Sequence, residues 1–350
     1  MSELSSYLPQ RINSGPFVTS YSLPALQGKL GQQPWHLPIC SLTTATSELA
    51  ALGPLVLPPL YREAMDESLQ TALVARISEC FPCFQGTRQR TQVSDQLEVV
   101  QLPAGPAGEV QEGQIVAFSV DTAVEEHGPH LPLATDTIQS YGVLSQLAQE
   151  VPELHLIRPV DYGHLTWGLP FGMSVDITPE LLTRYVTGFA NAVCRALQPR
   201  ALYVVDVHGS IVHREAIQEG LRQSECSQFA FRWLHEPLVE FAGERGDQHA
   251  GGVETVLVNR FNPALVDTDW WPGRIDELMA GQMDLATALG LSDDVRDFVA
   301  HVEQAEDRGT PCNGIVGVVE NADQLDAELL LQRMLAVASD DLQSLGATLP

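Results

Sequence analysis

From about residue 115 onward, apolar runs of strand length alternate with stretches that read as helix. Ile115-Val116-Ala117-Phe118-Ser119-Val120 and the β-branched, aromatic run Ala201–Val207 read as buried strands. The pattern predicts strands near 115–121, 155–160, 201–207, 228–233 and 253–260, and helices near 138–150, 179–197, 212–223, 273–290 and 323–345. This alternation implies an α/β chain of three-layer α/β/α architecture, with a mostly parallel central sheet covered by helices on both faces. Ahead of it, residues 1 to about 50 are rich in Pro, Gly, Ser and Thr and suggest an irregular segment on a surface. Apolar residues at helical spacing in Tyr61–Ile77 predict one amphipathic helix. The Pro- and Gly-rich stretch 102–108 reads as a loop, so we expect an N-terminal extension over 1–95 and a catalytic domain over 96–350.

Composition narrows the function. With 350 residues and 44% hydrophobic content, the chain can bury a substantial core. Its formal charge of −26, with Lys29 as the single lysine, argues against nucleic acid and anionic membrane surfaces as partners. No run approaches the ~18 apolar residues of a membrane helix. Met1–Leu8 lacks the basic and apolar regions of a secretory signal. Cys40, Cys80, Cys83, Cys194, Cys226 and Cys312 are scattered and suggest no disulfide framework, which makes the cytoplasm the expected location. Cys80-Phe81-Pro82-Cys83 has redox or zinc-knuckle spacing but no second pair.

The chemistry is concentrated in three segments. Glu125, His127, His130 and Asp136 fall within twelve residues directly after the first strand. In extended chain Glu125 and His127 point the same way, while Pro129 and Pro132 keep the following stretch from becoming helix and return Asp136 towards them. Carboxylate oxygens and imidazole nitrogens gathered at a strand end suit a divalent metal. His208, followed by Gly209, ends a second strand, where open α/β sheets place their ligands. In the third segment, Asp247–Thr255, His249 and Glu254 flank two glycines that permit close backbone approach.

In this order and spacing the segments resemble the creatininase family of metal-dependent amidohydrolases. The family motif Glu-x-His-Gly-Pro-His-Leu-Pro-x-x-Thr-Asp is matched at every fixed position from Glu125 to Asp136, and Asp-x-His-Ala-Gly-x-x-Glu-Thr at every fixed position from Asp247 to Thr255. Of the second motif, Asn-Gly-His-Gly-Gly-Asn or Asn-Gly-His-Tyr-Glu-Asn, the chain keeps only His208 and Gly209. Gly314-Ile315-Val316-Gly317 echoes a family turn before the final helix. The resemblance covers roughly 95–345.

It implies that Glu125, Asp136 and His208 hold one divalent ion and His127 and Asp136 a second, with Asp136 bridging and His249 as general acid/base. Ser210 stands where creatininase carries a glutamate, so Glu254 is expected to complete the second site, with Asp206 as its competitor. His130 and Asp206 are expected behind the ligands, orienting them. Two ions per chain are implied, zinc, manganese or iron, with a shared water of lowered pKa as nucleophile. The expected reaction is hydrolysis of a C–N amide bond in a small or cyclic amide. The alternatives are a peptidase processing a short precursor peptide in a natural-product pathway, and a non-catalytic binding descendant. Trp167 and Phe171 are candidates to line the substrate pocket. A homo-oligomer, a hexamer by resemblance, is implied, with Trp270 and Trp271 as exposed aromatics near an interface.

Overall fold

The computed structural model describes residues 10–13, 19–23, 35–42, 44, 57–80, 113–165, 168, 174–241, 249–282, 313–319 and 322–348. Trp167, Phe171, Asp247, Cys83 and the 102–108 loop lie outside the described residues.

Strands β1 (Gln10–Asn13), β2 (Thr19–Leu23) and β3 (Trp35–Cys40) pair antiparallel in that order, and β4 (Leu60–Tyr61) joins β3 in parallel. A second sheet has the order β6-β5-β7-β8, from β5 (Ile115–Ser119), β6 (Leu154–Leu156), β7 (Ala201–Asp206) and β8 (Phe229–Trp233), and every pairing is parallel. Its registers align Ile115 with Ala201 and Ser119 with Val205, so β5 and β7 end side by side.

The period of two along β5 and β7 builds three layers. Val116, Phe118, Leu202 and Val204 face one core with α1 (Glu67–Cys80), α3 (Pro179–Leu197) and α4 (Ile211–Gln223). Ile115, Ala117, Tyr203 and Val205 face the other, with α2 (Thr135–Glu150), α5 (Gly252–Phe261) and α7 (Ala327–Ser344). Burial on both faces explains why these strands are continuously apolar. Arg232 of β8 grips Asp341 of α7 through two hydrogen bonds of 2.7 Å.

The first core extends into the segment ahead of the central sheet. Leu37, Ile39, Leu60, Tyr61, Leu73 and Ile77 share it with Phe118 and Phe189. The Tyr61 and Phe189 rings lie 5.4 Å apart, and the Tyr185 hydroxyl accepts from the Tyr61 N–H at 2.9 Å. Gly188 permits this approach, because a Cβ there would meet the Ala64 carbonyl oxygen at 1.9 Å.

Several predicted elements change. The Tyr61–Ile77 pattern resolves into a single 3-10 turn, Arg62–Ala64, and a helix starting at Glu67, where the Asp66 carboxylate caps the Leu69 N–H at 2.7 Å. The predicted strand at 155–160 is only Leu154–Leu156, plus an isolated bridge between Val120 and Val160. The predicted 273–290 helix is described only as α6, Ile275–Gly281. The predicted strand at 253–260 is helix α5 instead. There Glu254, at the third helical position, accepts from the Ala250 N–H at 2.5 Å, and the Thr255 hydroxyl donates to Gly251 O at 2.6 Å. Residues 252–258 are buried on every side, so tertiary packing and the helix cap outweigh the β-propensity of Val253, Val256 and Val258.

The scattered cysteines do form one bond, between Cys194 of α3 and Cys226, 32 residues apart. Parallel strands β7 and β8 bring the segment before β8 back beside α3, which sequence spacing alone does not reveal. Cys80 is buried with its Sγ 3.4 Å from the Asp176 backbone, a packing role for half of the Cys80–Cys83 pair. Among the described residues no helix is long and apolar enough to cross a membrane.

Candidate metal centre

The turn that leaves β5 carries the first motif inward, and all its polar side chains are buried: Glu125, His127, His130 and Asp136 are each 1% exposed. His127 Nδ1–H donates to its neighbour's carbonyl, Glu125 O, at 3.1 Å. That bond turns Nε2 inward, 3.2 Å from Asp136 Oδ1 and 3.8 Å from Glu254 Oε2. His208, just beyond β7, donates from Nε2 to His164 O at 3.1 Å and so presents Nδ1 to Glu125 Oε2 at 3.1 Å and Asp136 Oδ2 at 3.4 Å. Backbone carbonyls therefore fix both ring orientations and turn the other nitrogen of each towards carboxylates.

Two groups of potential ligand atoms share Asp136. Glu125, Asp136 and His208 form one, and His127, Asp136 and Glu254 the other, with the atoms of each within 4.8 Å of one another. Glu125, His127 and His249 make a third group by the same measure. The donor set of carboxylates and neutral imidazoles fits divalent cations, and the buried Glu125 Oε1 accepts no hydrogen bond among the described residues. Burial works against charge on His127, yet Asp136, Glu254 and Glu125 together raise its pKa to about 10. Burial pushes Glu254 up to about 7, partly opposed by His127. Carboxylates that hold a proton on His127 would equally favour a divalent cation there, so loading releases protons.

His249 lies against His127 with ring centroids 4.3 Å apart. Its Nε2 donates to Glu126 O at 2.5 Å, and its Nδ1 is 3.5 Å from Glu125 Oε1. Burial, reinforced by His127, lowers its pKa to about 3, so its ring is neutral near pH 7. His130 stands outside these groups and bonds the Thr255 hydroxyl at 2.8 Å, tying the first motif to α5. Asp206 is likewise outside them. Its Oδ1 accepts from the His208 N–H at 2.8 Å and lies 3.5 Å from His213 Nε2. Ser210, in place of the family glutamate, caps α4 by accepting from His213 N at 3.2 Å. The turn carrying Gly314 packs over the Glu126 carboxylate. Trp270 and Trp271 are half-buried against the apolar cores, with the Arg274 guanidinium 3.8 Å above the Trp270 ring, so they form no exposed aromatic patch.

Sequence reasoning missed Arg76 and Asp176. Arg76 of α1 pairs with the buried Asp176, whose Oδ1 also accepts from Leu165 N at 2.9 Å and lies 3.3 Å from His164 Nδ1. The His164 carbonyl in turn holds His208. Burial alone would raise the Asp176 carboxyl, but His164, Leu165 N–H and Arg76 together hold it below the ordinary range. A depressed folded-state value means that this carboxylate's stabilisation is complete above the ordinary carboxylate range and is lost as pH falls through the folded value. Arg76→Ala should therefore cost ~1–3 kcal/mol near pH 7, with the two proteins converging in acid. Denaturant titrations at several pH values check this, and a pH-independent difference would contradict it.

A family model described as creatininase, creatinine amidohydrolase, matches residues 107–340. The mycofactocin precursor peptide peptidase of Mycobacterium tuberculosis (strain CDC 1551 / Oshkosh) is 31% identical over 159 residues, covering 43% of this chain and 59% of that protein. Its counterpart in Mycobacterium ulcerans (strain Agy99) is 31% identical over 156 residues, covering 42% and 58%. The chain thus spans less than two thirds of the length of these curated relatives. Similar solved structures include a mutant creatininase complexed with creatine, with a TM-score of 0.49, 17% identity and coverage of 66% of this chain and 91% of that one. A putative creatinine amidohydrolase from Bacteroides fragilis NCTC 9343 gives a TM-score of 0.48 and 17% identity, covering 65% and 88%.

Proposed function

Because the chain belongs to the creatininase family, we propose that it is a metal-dependent amidohydrolase cleaving a C–N amide bond. The observation that carries this reading is the buried Asp136 carboxylate, whose two oxygens address two separate groups of ligand atoms. Two divalent cations, zinc, manganese or iron, would supply a Lewis acid for the carbonyl and a water of lowered pKa. Glu125, Asp136 and His208 would hold one, and His127, Asp136 and Glu254 the other. His249 keeps Nδ1 as the atom that takes up a proton and returns it to the leaving nitrogen, since Nε2 is committed to Glu126 O.

Within this reaction class, a short peptide is the substrate favoured by the 31% identity to precursor peptide peptidases. A non-catalytic descendant has less support, because all five ligand candidates are buried and grouped. Homo-oligomeric assembly remains part of the reading, without the two tryptophans as its evidence. The test is incubation of metal-loaded protein with short peptides and with creatinine, followed by mass spectrometry. Cleavage that stops on chelation is expected, and the absence of both bound metal and hydrolysis would overturn the proposal.

Glu254 and Asp206 can be separated directly. Asp206 lies outside the groups of ligand atoms, whereas Glu254 shares one with His127 and Asp136, its Oε2 3.8 Å from His127 Nε2. Glu254→Gln should lose the second cation and Asp206→Asn should keep it, as read by elemental analysis. The reverse result would make Asp206 the ligand.

A further inference from the structure

We propose that Thr122 is an additional oxygen ligand in the pocket formed by Glu125, Asp136 and His208, an inference that rests on the metal-dependent reading above. Thr122 is 1% exposed and lies in the turn three residues beyond β5 and three before Glu125. Its Oγ1 is 2.7 Å from Asp136 Oδ2 and also contacts Glu125 Oε2. Those two oxygens are the same ones that His208 Nδ1 meets at 3.4 and 3.1 Å. Thr122 Oγ1 thus meets the same two oxygens as His208 Nδ1, and three of these four potential donor atoms are oxygens.

A hydroxyl carries a single proton and two lone pairs. It can donate to one carboxylate oxygen and still offer a lone pair to a cation. Packing fixes where the hydroxyl points. Threonine is stiff at χ1, and the Thr122 methyl is seated where Gly163 leaves room, since a Cβ on Gly163 would lie 2.7 Å from Thr122 Cγ2. The hydroxyl is thereby held towards the carboxylates.

The consequence is chemical selectivity. Three oxygens and one imidazole make a harder donor set than two carboxylates and an imidazole alone, and this shifts preference from zinc towards manganese. The test uses chelator-stripped parent protein, Thr122→Val, Thr122→Ala and Thr122→Ser, titrated calorimetrically with MnCl2 and with ZnCl2, with elemental stoichiometry and thermal unfolding of the stripped proteins alongside. Thr122→Val and Thr122→Ala should bind the first Mn²⁺ ~10-fold or more weakly while Zn²⁺ changes by less than about threefold, and Thr122→Ser should match the parent. The alanine variant carries the same expectation should valine fail to fold. Unchanged affinities would overturn the assignment, and so would an equal loss for both ions, which would make the hydroxyl a hydrogen-bond donor only. A parent protein that binds neither ion would overturn the metal-dependent reading as well, whereas a parent with two ions and indifferent variants would overturn this inference alone.

Discussion

Asp136→Ala should give a folded protein that retains neither divalent cation and hydrolyses its amide substrate at least ~10³-fold more slowly than the parent. The size of the effect follows from the two oxygens of one side chain. Oδ1 faces His127 Nε2 at 3.2 Å and Oδ2 faces His208 Nδ1 at 3.4 Å, so one truncation strips both groups of ligand atoms. Removing Glu125 or Glu254 leaves a carboxylate and an imidazole in its own group and the other Asp136-sharing group complete. Asp136→Ala should therefore empty the centre more completely than any other single change. Elemental analysis after gel filtration, with turnover measured on the same sample, checks it. Two retained ions with near-parent turnover would sink the bridging assignment.

His249→Ala should lower kcat by ~10²–10⁴ while both cations stay bound. The neutral ring, held through Nε2 to Glu126 O, leaves Nδ1 facing Glu125. That is the posture of a proton acceptor beside the ligands. The same ring also belongs to a ligand-spaced group with Glu125 and His127, so metal content decides between two roles. Loss of one cation together with turnover would make His249 a ligand, and unchanged turnover would remove it from the chemistry.

What could be read from the sequence was what short-range spacing encodes. Glu125, His127 and Asp136 lie in one motif, and His208 ends an unmistakable β7, so their proximity follows from strand ends aligned in a parallel sheet. The strands and helices from Ile115 to Trp233 follow from period and length. Helix α5 was misread because Val253, Val256 and Val258 carry β-propensity, while its burial against α2 and α7 is a tertiary fact. Thr122 gave no signal, since an isolated threonine next to a strand is unremarkable until its partners are known. Arg76 and Asp176 are 100 residues apart, and nothing in either local sequence announces their pairing. The Cys194–Cys226 bond is of the same long-range kind. Trp167 and Phe171, read as pocket candidates, lie outside the described residues.

The tyrosine contact between the early segment and α3 has a consequence for the order of events on the ribosome. Tyr61 and its hydrogen-bond partner Tyr185 are 124 residues apart. At ~5–20 residues per second, Tyr61 is made roughly 6–25 s before Tyr185. Throughout that interval Leu60, Tyr61, Leu73 and Ile77 lack the Phe189 face of the core that buries them in the finished molecule. The nascent chain therefore carries an uncovered apolar surface until α3 emerges, which is the kind of surface that chaperones bind and that aggregation begins from.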